Sequence, residues 1–225
     1  YVYMALRRPD GYVGKPPSLG TDVFSLVAGR NSPEPTLLTN FVTDFGIFKF
    51  PTAVEGWFWS TRLMQGKYLV TNSNDEEAST TSRNFDYNDG WSSGGLASYQ
   101  GWSWKRGAGF DVVCYKGNGT SNHQIRHSLN KTPEMMWVRQ REATNDGTWF
   151  VWHKGLNNGN PGTHFVKLNT NDAESDYDLF YGDPTSTSFS LYSYDGINGN
   201  NENHIAMLFA SVSGISKVGY YTGDG

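Results

Sequence analysis

An all-β fold of two tandem antiparallel sandwiches, with jelly-roll or Greek-key character, is predicted by three observations. The apolar runs are short, β-branched and aromatic, and Gly, Asn, Asp or Pro bounds them. No stretch holds a helical period over three turns. The chain also repeats itself: KYLVTNSNDEEAS (Lys67 to Ser79) returns as HFVKLNTNDAESD (His164 to Asp176). At an offset of 97 (169 − 72), Asn72 meets Asn169, Asn74 meets Asn171, Asp75 meets Asp172 and Glu77 meets Glu174.

Further anchors keep the same order. FGIFKF (Phe45 to Phe50) and WFW (Trp57 to Trp59) match MMWVRQ (Met135 to Gln140) and WFVWH (Trp149 to His153). Met4-Ala5-Leu6, Trp102-Ser103-Trp104 and Met207-Leu208-Phe209 precede Gly11, Gly109 and Gly214 at one spacing. VVCYKGNG (Val112 to Gly119) pairs with VGYYTGDG (Val218 to Gly225). The period is roughly 100 residues, so the chain reads as an excerpt of a longer repeat protein. Residues 1–20 are the end of a preceding repeat and a linker, 21–106 and 107–213 are two sandwiches, and 214–225 begin a further repeat.

Each element has a local reason. Strands are expected near 22–27, 45–50, 57–62, 67–71, 110–115, 164–168, 188–194, 204–210 and 215–221. The clearest hairpin joins MMWVRQRE to TWFVWHK through Asn145-Asp146-Gly147, residues that tolerate positive φ. Gly14 to Gly20 holds adjacent prolines and reads as an extended linker. Residues 105–109 leave no room for a long linker, so the two sandwiches should abut in a fixed orientation. Asn74 lies three residues before Glu77, and Asn171 three before Glu174. That is capping-box spacing, which predicts one short helix per unit.

Composition excludes several functions. With 15% aromatic residues, 18% charged and a formal net charge of −4, the chain lacks the basic patch of a nucleic-acid binder. It is equally unlike a disordered chain. No apolar run approaches the ~18 residues of a membrane span. The single cysteine, Cys114, lies in the apolar run Val112 to Tyr115 and reads as a buried strand residue.

Candidate chemistry is sparse. Glu174, Asp176 and Asp178 alternate, which on a strand would put three carboxylates on one face. A retaining glycosidase needs two such groups about 5–5.5 Å apart. The first unit has no second acid at the matching place, so a solvated turn is the better reading. Asp176 and Asp178 are the nearest approach to a calcium site. His123, His127, His153 and His204 are too dispersed for a metal centre and read as structural. There is no Walker loop or zinc-type cysteine spacing, and no cofactor is implied. Trp102 and Trp104 alternate with Ser103 and Lys105 and read as core. Trp91, with Tyr87, Asn88 and Asp89, lies in a polar, glycine-rich stretch. A flat apolar face beside hydroxyl-binding groups is what a sugar site uses, so these four are the candidate glycan site.

GFDVVCYKGNG, HSLNKTPEMMWVRQR, TWFVWHKGL, FVKLNTNDAESD and NNENHIAMLFASVSGISKVGYYTGDG together resemble a repeat of tail-fibre and other virion proteins of marine bacteriophages. Such repeats are grouped with concanavalin A-like, lectin/laminin-G-type sandwiches. The resemblance implies a non-enzymatic structural or adhesive part of a virion surface. Its partners would be other copies of the chain, other virion proteins or a host-surface glycan, without nucleic acid or membrane insertion. A polysaccharide depolymerase and a lectin-like adhesin of a secreted cellular protein are the alternatives.

Overall fold

The computed structural model describes residues 16–95, 97–142 and 146–221. The anchor Met4-Ala5-Leu6 with Gly11, linker residues Gly14 and Lys15, Asn145 of the hairpin turn, and the final Thr-Gly-Asp-Gly lie outside them. The chain is all-β. In the first half the strands are β1 (Phe24–Ala28), β2 (Leu37–Leu38), β3 (Phe45–Lys49), β4 (Phe58–Thr61), β5 (Lys67–Val70), β6 (Ala78–Ser79), β7 (Arg83–Asn84), β8 (Gly90–Ser93) and β9 (Gln100–Trp104). In the second they are β10 (Phe110–Lys116), β11 (His123–Arg126), β12 (Met135–Gln140), β13 (Phe150–His153), β14 (His164–Lys167), β15 (Ser175–Asp176), β16 (Ser188–Leu191) and β17 (Asn203–Phe209). A four-residue helix, α1 (Asp195–Asn198), precedes β17.

Two six-stranded antiparallel sheets dominate, in the orders β1-β9-β3-β4-β5-β6 and β10-β17-β12-β13-β14-β15. The orders correspond strand for strand. Each large sheet is backed by a small one, β2-β8-β7 in the first half and β11-β16 in the second.

Period-two alternation sends side chains to both faces of each large sheet. Phe48 of β3 points to the small sheet, where Leu37, Phe85 and Trp91 enclose it. Phe45 and Ile47 point the other way, with Trp59, Met64 and Leu69. They meet Phe110, Val112, Trp149, Ile205 and Met207 of the second large sheet. Beyond that sheet, Met136, Val138, Ala206 and Leu208 pack on Ile125, Phe189 and Leu191. The order of layers is therefore small sheet, large sheet, large sheet, small sheet. The central layer is aromatic, with Phe45 against Phe110 at 5.5 Å and Trp59 edge-on to Trp149 at 5.1 Å.

The short connection at 105–109 is tied down as its length demands. The Arg106 amide donates to Asp44, and its guanidinium to the buried carboxylate of Asp111, each at 2.8 Å. Asp111 also accepts from the amide and hydroxyl of Ser128. The β12–β13 hairpin forms as expected, with Met135 opposite His153 and Val138 opposite Phe150. Asp146 accepts from the Thr148 amide at 2.8 Å. Gly147 is required by close approach, because a Cβ there would overlap the Asn74 carbonyl.

Two expectations are corrected. No helix forms at 74–77 or 171–174. The predicted cap Asn74 instead accepts through Oδ1 from the Asn169 side chain, and its neighbours hold strand and turn backbone. Asn72 Oδ1 accepts from the Trp57 amide at 3.0 Å, and Asn169 Oδ1 from the Trp149 amide at 3.1 Å. Ser73 and Thr170 each accept from the amide two residues on, forming a turn in both copies. Glu77 pairs with Lys67 and Arg141, and Glu174 faces His164. Likewise, 215–221 forms no strand; the tail contributes only an isolated bridge between Val212 and Ser216. Its counterpart β10 is built on β17, the last strand of the same half, and no described residue plays that part for the tail.

Arg139 is the charge at the centre of this packing. It is fully buried, its guanidinium lies over the Trp149 ring at 5.0 Å, and burial lowers its pKa to about 10 against the pull of Asp75 and Asp146. It donates to the carbonyls of Val70 (3.2 Å), Ser73 (2.8 Å) and Asp75, all in the first half. Arg139→Met keeps most of the volume and strips the Ser73 and Asp75 carbonyls of this donor, while Val70 retains Trp149 Nε1. We expect a loss of about 3 kcal/mol in urea unfolding. Because the central layer belongs to both halves, wild type should unfold in one transition, and two resolved transitions in calorimetry would contradict that reading.

Candidate functional site

The four residues nominated for a glycan site are not assembled as one. Trp91, on β8, is fully buried between the small and large sheets. Its ring stacks on Phe85 at 4.9 Å and 8°, and its Nε1 donates to Ser103 at 2.9 Å. The indole lies over Gly46 of β3, where a Cβ would overlap the ring. Glycine neighbours suggested an exposed loop, but here glycine makes room for the indole. Asn88 and Asp89 are exposed and Tyr87 is half-buried. The Asp89 carbonyl receives the amides of Thr39 and Asn40, so this stretch secures the neighbouring turn.

The carboxylates fare similarly. Glu174 accepts from the Asn157 amide at 2.8 Å, and Asp176 from the Thr163 hydroxyl. Both flank the His164 imidazole, at 3.7 and 3.9 Å. Asp178 keeps one buried carboxylate oxygen without a hydrogen-bond partner. Among the described residues no group of three or more His, Cys, Asp or Glu is placed to hold a metal ion, so the Asp176/Asp178 calcium pair is not gathered into a site.

The histidines are dispersed through the second half. His123 Nδ1 lies 2.8 Å from Asn198 Oδ1, and His127 Nε2 lies 3.3 Å from the Thr185 carbonyl. His204 is buried between the carbonyls of Glu202 and Asp195, with its ring stacked on Tyr115. His153 accepts from the Gly155 amide at 3.0 Å and is hydrogen-bonded to the Gly219 backbone.

One recess was not nominated by the sequence. Residues of both large sheets and of the tail enclose an open cavity of about 850 Å³. Phe24 and Trp104 line it from the first half, and Met135, Trp137 and Phe209 from the second. Its size falls in the range of small-molecule sites. The tail 211–219 runs along its edge. Glu134 holds the tail by accepting from the amide and hydroxyl of Ser211, while Lys154 pairs with the same carboxylate at 3.0 Å. The Ser211 hydroxyl in turn accepts from the Val218 amide. Phe24, Trp104, Met135, Trp137 and Phe209 come from strands, while Leu19, Ile215 and Lys217 line the cavity from outside them.

Fold and packing define an all-β protein of stacked antiparallel sheets. Residues 39–225 match the model of a family described as a domain of unknown function, DUF7483, and the chain belongs to that family. No curated protein and no solved structure matches it.

Trp91→Ala is therefore a core deletion. It should cost about 3–5 kcal/mol of stability. A variant that melts like wild type would return Trp91 to the surface. The histidines give a second expectation. Burial is the main cause holding the pKa of His127, His153 and His204 below 6.5. At His204, Glu142 pulls upward and His123 downward. As pH falls, the unfolded chain takes up these protons first. Stability should be full above a pH of about 6.5 and decline below it, until the folded-state pKa values are reached. Urea midpoints between pH about 7.5 and about 6 check this, and His204→Gln should flatten the slope.

Proposed function

We propose that the chain is a structural, adhesive segment of a virion appendage such as a tail fibre, built from tandem repeats with units at 21–106 and 107–213. One observation carries the reading: the polar residues that recur between the halves serve architecture. Asn72 and Asn169 hold the entry of equivalent strands through the amides of Trp57 and Trp149. The pairs Lys67–Glu77 and His164–Glu174 bridge equivalent hairpins. Asn169 also donates across to Asn74, so the two copies of the motif touch.

Two sandwiches packed through one aromatic layer form a stiff unit, which suits an extended appendage. Host contact then belongs to exposed loops, where sequence varies between the halves without disturbing the sheets. The polar stretch 183–203 differs from its first-half counterpart in this way. An antibody raised against the chain tests the reading on particles purified from the source culture. Gold label on an appendage in electron micrographs is the expected result. Label confined to the soluble fraction, with clean particles, would sink it.

A further inference from the structure

The two halves meet asymmetrically. By strand register, Leu26 corresponds to Val112, Trp102 to Met207, Trp57 to Trp149 and Lys49 to Arg139. The cation–aromatic contact itself is duplicated: Lys49 Nζ lies 5.5 Å from the Trp57 ring, and the Arg139 guanidinium 5.0 Å from that of Trp149. Yet Val112, Met207, Trp149 and Arg139 are all fully buried, whereas Leu26 is 56% and Trp57 39% exposed. The difference lies in the cover. The 70–75 loop of the first half closes over Arg139 and Trp149, accepting from the guanidinium and, at Val70, from Trp149 Nε1 at 3.2 Å. Lys49 donates instead to carbonyls of its own connection, Glu55 at 2.7 Å and Ala53 at 3.5 Å, and no loop of the other half is described over Trp57. The matching loop of the second half, 167–172, continues into exposed residues Asn171 to Glu174 and includes exposed Leu168.

We propose that Leu26, Lys49, Trp57 and Trp102 form a docking face for a second copy of this chain, which covers it with its own 167–174 loop. Three observations favour that occupant. The same register positions are already covered, within the chain, by the same kind of loop. The face is continuous with the established interface, since Trp102 packs on the central core. Charge is complementary, because Lys49 would meet a loop whose carboxylates, Asp172 and Glu174, outnumber its one lysine, Lys167, which pairs with Asp172 at 3.0 Å. The contact joins different surfaces of the two copies, so it is head-to-tail and open-ended rather than closed by a two-fold axis. It stands on the duplicated fold and does not require the virion reading.

Sedimentation over a concentration series from micromolar to millimolar tests it. Wild type should rise from the 25.1 kDa monomer to larger species as concentration increases. Leu26→Asp with Trp57→Ser should hold the chain at the monomer mass, as should Leu168→Asp on the loop. Mixing these two variants should give a dimer that grows no further, since one usable face and one usable loop remain. If the double substitution disturbs folding by near-UV circular dichroism, Lys49→Glu serves instead. It should weaken association several-fold, and adding Asp172→Lys to the same chain should restore it. A wild type that stays monomeric throughout would overturn the proposal. So would association that survives both Leu26→Asp/Trp57→Ser and Leu168→Asp, or a Lys49→Glu defect that Asp172→Lys leaves in place.

Discussion

A guanidinium without water around it must find its solvation in the protein. Arg139 finds it in carbonyls of a loop from the other half and in the face of Trp149. Its position fixes the loop 70–75, and that loop fixes how the first large sheet lies on the second. The aromatic layer supplies the area, but apolar contact is non-directional and would permit many relative placements. Directional bonds from one buried cation select one. Glu77 with Arg141, and Asn169 with Asn74, extend that selection along the same edge.

Much of the fold was legible from short apolar runs. The strands near 45–50, 57–62, 67–71, 110–115 and 204–210, and the hairpin around residue 146, lie where the pattern puts them. The two-residue strands β2, β6, β7 and β15 carry no such pattern, since they are too short to alternate. The acidic motif misled because helix caps and Asx-type turns use the same residues at similar spacing. What decides between them lies outside the motif: Asn74 accepts from Asn169 of the other half, and the adjacent Asn72 accepts from the amide of a tryptophan fifteen residues upstream (72 − 57). Trp91 misled for a related reason: glycine signals both a loop and a place where a bulky ring lies against backbone. Only the strand across the sheet, with Gly46, tells the two apart.

The candidate site was less legible than the fold. A sequence repeat announces equivalence, whereas the exposed Trp57 and Leu26 stand out because equivalence fails there. The residues match and their surroundings do not. That asymmetry arises from which loop covers which strand, and it has no trace in either copy taken alone. The cavity by Phe24 and Met135 is likewise lined from both halves and the tail, so neither copy alone announces it.

The pairing of β1 with β9 and of β10 with β17 also governs the order in which the protein can be made. In each half the first strand to leave the ribosome finds its partner only in the last. Closing that span before any contact rewards it is the slow, entropy-limited kind of folding. Nor is the first half finished when β9 arrives. Phe45, Trp59 and Leu69 then form a bare aromatic face whose cover is still being synthesised. The nascent chain therefore passes through a stage in which a completed sheet displays its stickiest surface, and rapid arrival of the second half is what protects it.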